Sequence, residues 1–320
     1  MSEIKVFGGL LLRNIIAGPG DRYYDNAMYF FEQGLIQGAQ VMVEHPSFTP
    51  GLTLEQVKHA IRRLPEGFEL LVHGAAENRG VDLGEGFDEL GVYHEKGASQ
   101  GISWREWNLG SLEWAVAVAR SCPERFLASP SVVIHPGYMK SADEVVSMTQ
   151  ACFSIADIFL GSSVGLETVP WLMRKEWFLS DRPKGFHEVA EFFGFGGIPD
   201  SMESCLHPNS LPENINAKVL IDFSHIMVTW NQVQLGLIRD AWGSLDCLIG
   251  QFEALEHWSV CHYSGPPPGC VDTHEFMQVP PPECVRTAIR KMDTVCLEIP
   301  YENRERAEQD IRFFRTHFLG

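Results

Sequence analysis

Nine residues of this chain are of types that bind divalent cations, and most of them sit at or just beyond the end of a short apolar run. They are His73, His135, Glu167, Asp222, His225, His262, Asp272, His274 and Glu298. Imidazole and carboxylate together favour zinc, with manganese or iron as alternatives, and no thiolate stands among them to narrow the choice. Five imidazoles and four carboxylates exceed the needs of one catalytic ion, which takes three or four protein ligands and keeps a position open. The set suits two or three ions sharing a bridging carboxylate. Such a centre lowers the pKa of water and stabilises charge on attacking and leaving oxygens. Each residue alone also has a plainer reading, because a lone histidine after an apolar run is more often a hydrogen-bonded core or surface residue. Glu298, within VCLEIPYE, reads equally as a buried carboxylate paired with an arginine. The joint pattern decides between the two readings, since nine polar groups brought to one face would be costly to desolvate without partners.

Eight apolar runs are available to position these residues, at 5–12, 40–45, 68–74, 131–137, 164–169, 218–225, 259–265 and 294–300. Near-continuous apolar character is the mark of parallel strands buried on both faces. Amphipathic helical stretches lie between them, at 25–37, 53–64, 111–122, 141–153, 183–194, 237–256, 281–292 and 303–314, with Thr53 and Ser141 placed as N-caps. This alternation predicts an α/β chain forming a single (β/α)8 TIM-barrel domain over residues 1–320. An open doubly wound sheet is disfavoured, because the first strand carries only the glycine pair of VFGGL and no GxGxxG turn. In a closed barrel the strand ends converge on one face, where catalytic residues of this fold sit. Long connections at 75–112 and 170–217 are expected to be lids or binding loops.

The chain has 320 residues, 45% of them hydrophobic, with 25 Lys and Arg against 42 Asp and Glu for a formal net charge of −17. That balance argues against a nucleic-acid coating protein, whose affinity comes from basic side chains on phosphates. It leaves a nucleic-acid enzyme open, since bound cations reverse the local sign. No apolar run approaches a membrane span, and the N-terminal segment reads as a first strand and not as a secretory signal. The eight cysteines form no CxxC pair, and several fall in apolar segments. They read as reduced, buried thiols, which places the expected location in the cytoplasm.

The motifs in their order resemble those of endonuclease IV, one of the xylose isomerase-like TIM barrels. The resemblance is carried by VHG at 72–74, VIHPG at 133–137, LET at 166–168, DFSH at 222–225, CHYSG at 261–265, DTHEF at 272–276 and LEIP at 297–300. It implies three zinc ions. His73, His135 and Glu167 would hold one; Glu167 would bridge to a second held by Asp222, His262 and Glu298; His225, Asp272 and His274 would hold a third. It also implies cleavage of DNA beside an abasic site, with Glu167, Asp222 and Glu298 as the catalytic carboxylates. Four departures concern substrate or supporting positions. GAAENRG follows His73 without the family's inserted aromatic residue, PSFTPGLT lacks its basic and Gln residues, Thr273 stands for its usual Arg, and HYSG replaces HLND. The metal chemistry therefore transfers better than the DNA specificity. The expected activity is metal-dependent hydrolysis of a phosphodiester or phosphoester, on a phosphorylated small molecule or damaged DNA, with no membrane partner. The alternative is a sugar isomerase or epimerase of the same superfamily. That reading needs only Glu167, Asp222, His262 and Glu298, and leaves the other five unexplained. A non-enzymatic binding barrel ranks third.

Overall fold

Eight parallel strands close into a barrel in which each strand pairs with its neighbours in chain order and β8 returns to β1. The strands are β1 Lys5–Leu11, β2 Gly38–Val43, β3 Glu69–Gly74, β4 Val132–Ile134, β5 Ser163–Glu167, β6 Asn216–Asp222, β7 His257–Tyr263 and β8 Thr294–Leu297. This is a computed structural model. It describes residues 3–82, 90–135, 162–168, 216–236, 240, 242–265, 267, 274 and 279–319. Most of the 170–217 connection, the helical stretches at 141–153 and 183–194, and Asp272 lie outside the described residues.

Helices among the described residues are α1 Leu12–Ala17, α2 Arg22–Glu32, α3 Leu54–Arg62, α4 Trp104–Ser121, α5 Phe223–Gln234, α6 Leu245–Glu253, α7 Glu283–Ile289 and α8 Arg304–Phe314. Thr53 caps α3 in a reciprocal box with Gln56, as the Thr-x-x-Gln spacing predicts. Several boundaries differ from the sequence reading: α1 falls in no expected helical stretch, α2 runs earlier than 25–37, and three others have a local cause. Helix α4 begins at Trp104, inside the connection expected to be loop, because Ser103 and Glu106 form a capping box there. Within the expected 237–256 stretch, helix α6 begins at Leu245 after the Ser244 cap, and Asp240 and residues 242–244 are not helical. Strand β6 stops at Asp222, whose carboxylate caps α5 by accepting from the His225 amide at 2.9 Å. His225 is therefore a first-turn helical residue.

The barrel interior is built from two-residue steps, since alternate residues of a strand share one face. An apolar layer of Phe7, Leu71, Val133, Leu220, Val260 and Cys296 fills its lower part, with Trp258 beside it. Gly38 belongs to the same face. A Cβ there would lie 2.1 Å from the Glu69 carbonyl oxygen and 2.9 Å from Phe7, so no side chain fits. Two residues further along these strands, and on β5, come Gly9, Gln40, His73, His135, Glu167, Asp222, His262 and Glu298. Outside the barrel, the helices pack on outward strand residues such as Val6, Val41, Val72 and Ile221 in a continuous core. No described helix is long and apolar enough to cross a membrane. Cys122, Cys261 and Cys296 are buried free thiols, whereas Cys247 is exposed and Cys284 half-buried.

Candidate metal centre

Glu167, at the end of β5, is the hub of the upper layer. Its Oε2 lies 2.8 Å from His73 Nε2 and 3.3 Å from His135 Nε2. Its Oε1 faces the other way, 3.1 Å from His262 Nδ1 and 3.5 Å from His225 Nδ1. His262 Nδ1 is also 3.3 Å from Glu298 Oε1. One carboxylate thus divides its two oxygens between two pairs of imidazoles. Two sets of side chains converge closely enough to share an ion, His73, Glu167, His262 and Glu298 in one and Glu167, Asp222 and His225 in the other. Glu167 is common to both.

The members differ in how they are held. His73 turns Nδ1 to the Gly74 carbonyl, which only accepts, so Nδ1 carries a hydrogen. Its Nε2 then meets a carboxylate oxygen at 2.8 Å, a contact that requires a proton or a cation between them. His225 likewise donates Nδ1–H to the Thr168 carbonyl at 2.7 Å. The Thr168 hydroxyl accepts from the Asp222 amide at 2.8 Å and fixes the end of β6. Gln40 Nε2 donates to Glu298 Oε1 at 2.9 Å. His274 is more exposed, with Nδ1 3.2 Å from the Glu298 carbonyl oxygen and 3.6 Å from its Oε2. Its φ of 45° is left-handed, a conformation that costs a non-glycine residue energy and that clusters at functional sites.

Burial sets the electrostatics. It pushes the Glu167 carboxyl up, but the imidazoles of His262 and His135 outweigh it and hold the group well below the usual carboxylate range. Burial pushes His262 down, yet Glu167 and Glu298 raise it well above the usual imidazole value. Asp222 moves up to about 6, first through burial and then through Glu298 and Glu167, with His225 and His262 opposing. The cluster therefore demands positive charge. Its geometry also leaves lone pairs for a cation, on Asp222 Oδ2 and on one ring nitrogen of fully buried His262, since neither His262 nitrogen nor Asp222 Oδ2 has a well-formed hydrogen bond. These residues fit one or more divalent ions.

Of the nine residues singled out in the sequence, His73, His135, Glu167, Asp222, His225, His262 and Glu298 come together and His274 stands at the edge, while Asp272 lies outside the described residues. The closest sets put His262 and Glu298 beside His73 and His225 beside Asp222, while the Glu167 oxygens keep His73 with His135 as the resemblance implies. His45 stacks on Trp107 at 3.8 Å and binds Ser47 instead of joining the ring. Sequence reasoning missed Gln40 and Thr168, whose neutral side chains carry no metal signature. It also missed Glu44, which is buried at the end of β2, with Arg79 Nε at 2.8 Å and Arg13 Nε at 3.8 Å.

No protein-family model and no curated protein sequence matches the chain. Among solved structures, an endonuclease IV from Thermus thermophilus superposes with a TM-score of 0.55 at 18% identity, covering 98% of each chain. A D-psicose 3-epimerase determined in the presence of D-fructose gives a TM-score of 0.48 at 11% identity, over 98% of this chain and all of that one. The fold is a (β/α)8 TIM barrel, the architecture it shares with that endonuclease IV.

Proposed function

We propose that this chain is a metal-dependent hydrolase of phosphoester bonds, with a multinuclear centre built on Glu167. The observation that carries the reading is the division of the Glu167 oxygens between His73 with His135 on one side and His262 with His225 on the other. A carboxylate so placed suits a bridge between two ions. A single-ion sugar isomerase has no use for three further imidazoles packed around the same carboxylate. His73, His135, Glu167, Asp222, His225, His262 and Glu298 would hold the ions, joined by His274 at the edge and, as the sequence resemblance implies, by Asp272. Zinc fits this donor set best, and manganese or iron also suit it. When bound, such ions supply Lewis acidity toward a phosphoryl oxygen and a nucleophilic water at neutral pH.

The protein's own part is positioning. Thr168 orients His225 and the end of β6, Gly74 sets the tautomer of His73, and Gln40 holds Glu298. The apolar layer beneath closes the barrel to water from below. Arg79 and Arg13, sharing the single buried carboxylate of Glu44, offer positive charge for a substrate anion. DNA and phosphorylated small molecules both meet these requirements. Metal analysis of the purified chain, with a phosphatase panel and a duplex carrying one abasic analogue, tests the reading. Two or three ions per chain with phosphoester turnover is the expected outcome. One ion, with sugar turnover and no phosphoesterase activity, would overturn it.

A further inference from the structure

His73 and His225 each give one ring nitrogen to a main-chain carbonyl, that of Gly74 and that of Thr168, and keep the rest of the ring for the cluster. Ligating histidines are ordinarily held in this way, by an acceptor on the nitrogen that does not face the ion. His262 has no such carbonyl. Its Nδ1 lies 3.1 Å from Glu167 Oε1 and 3.3 Å from Glu298 Oε1, so Nδ1 is the nitrogen that an ion shared with them would take. Nε2 then carries the hydrogen, in a residue that is fully buried, and no well-formed hydrogen bond receives it. Asp222 Oδ2 is itself without a hydrogen bond, so it does not take this hydrogen either. Buried donors are rarely left in that state.

The register of the barrel brings one more acceptor to the ring. His262 on β7 pairs with Cys296 on β8, so their side chains project side by side from the same face of the sheet. Cys296 belongs to the apolar layer with Phe7, Leu71, Val133, Leu220 and Val260, and of these only Cys296 has a side-chain atom able to accept a hydrogen bond. Burial lowers the pKa of His262 and the two carboxylates raise it, and contact with the Cys296 sulfur adds to the rise. A neighbour that favours the protonated ring is acting as an acceptor. Water is not the acceptor. A cavity of about 310 Å³ does open beside Glu298, where β1 has Gly9 and no side chain, and Cys296 is in its lining, but His262 is not. Sulfur also packs as a small hydrophobe, so it closes the floor of the cluster without adding a strongly polar group.

We propose that Cys296 is a positioning residue of the metal centre, its sulfur accepting from His262 Nε2 and so directing Nδ1 at the ion. The role rests on the metal centre proposed above.

The test compares Cys296→Ser, Cys296→Ala and Cys296→Val, with Val260→Ala, in the same layer but without a polar atom, as the control for packing. Zinc affinity is read by chelator competition, and the His262 ring N–H by proton–nitrogen spectra of the histidine-labelled chain with and without zinc. Serine keeps an acceptor in nearly the same volume and is expected to hold zinc as the unsubstituted chain does. Alanine and valine remove the acceptor, one losing volume and one adding it, and both are expected to weaken zinc about ten-fold and to shift the ring resonance. Val260→Ala is expected to lower stability and leave both readings in place. Zinc held equally by all three Cys296 variants, with the resonance unmoved, would show that the sulfur only fills space. Serine as weak as alanine and valine would overturn the acceptor role. A chain that binds no zinc at all would overturn the metal centre and this role with it, while the ring resonance of the metal-free chain reads the sulfur contact separately.

Discussion

The two layers inside the barrel are two residues apart on the same strands, and they obey different rules. Leu71 and His73, Val133 and His135, Leu220 and Asp222, Val260 and His262, and Cys296 and Glu298 are successive inward positions. The lower member of each pair is held by shape, and its neighbours, the Cys296 sulfur's contact with His262 excepted, ask only for apolar volume. The upper member is held by charge and hydrogen bonding, and its neighbours ask for a particular atom. Stability and chemistry are thus stacked along the barrel axis, close enough to touch yet separable by substitution.

The sharpest way to break this contrast is Glu167→Gln, which keeps the volume and removes the charge common to both ligand sets. Turnover should fall more than about 100-fold, beyond the usual loss when only a ligand's partner is removed, and bound metal should fall with it. Retained metal with near-normal turnover would refute the hub assignment. Leu220→Ala, one step below Asp222, is expected to lower unfolding free energy by about 2–5 kcal/mol in denaturant titrations. Metal per folded chain should stay unchanged, and parallel loss of metal would show that the layers are not separable. Thr168→Val tests the support between them. Without its hydroxyl, metal affinity measured by chelator competition should drop about 10–100-fold, with stability little altered.

His45 belongs to neither layer and supplies the smallest test. Burial against Trp107 lowers its pKa from 6.5 to about 4. The unfolded chain therefore takes up this proton first as pH falls. The stabilisation from neutral His45 is full above pH 6.5, is lost as pH drops to about 4, and changes no further below. Ser47 donates its amide to the unprotonated Nδ1, in keeping with that sign. His45→Gln should flatten part of the acid slope of the melting temperature, modestly, because the ring is only partly buried. An unchanged slope would show that His45 is not the group titrating.

Much of this was legible in the chain before folding. Apolar runs ending in His, Asp or Glu point to the barrel and to a cluster of ligand-type side chains, because a polar residue two places past a plug residue leaves a visible pattern. The start of α5 was not legible. FSHIMVTW is rich in β-branched and aromatic residues, and tertiary packing, together with the Asp222 cap, outweighs that preference. Gln40, Thr168 and Gly9 were invisible for a different reason. Their roles are an amide orientation, a hydroxyl and an empty space, each meaningful only once neighbours are in place. The approach of His262 on β7 to His73 on β3, with ring centroids 5.5 Å apart, depends on barrel closure, which strand-by-strand reading does not resolve.

The hydrogen bond from Gln40 to Glu298 reaches from β2 across β1 to β8, over the seam where the barrel closes. A loosening of the β1–β8 edge would therefore be felt at Glu298 as well as in the sheet, so the integrity of the barrel and that of the cluster are coupled at this seam.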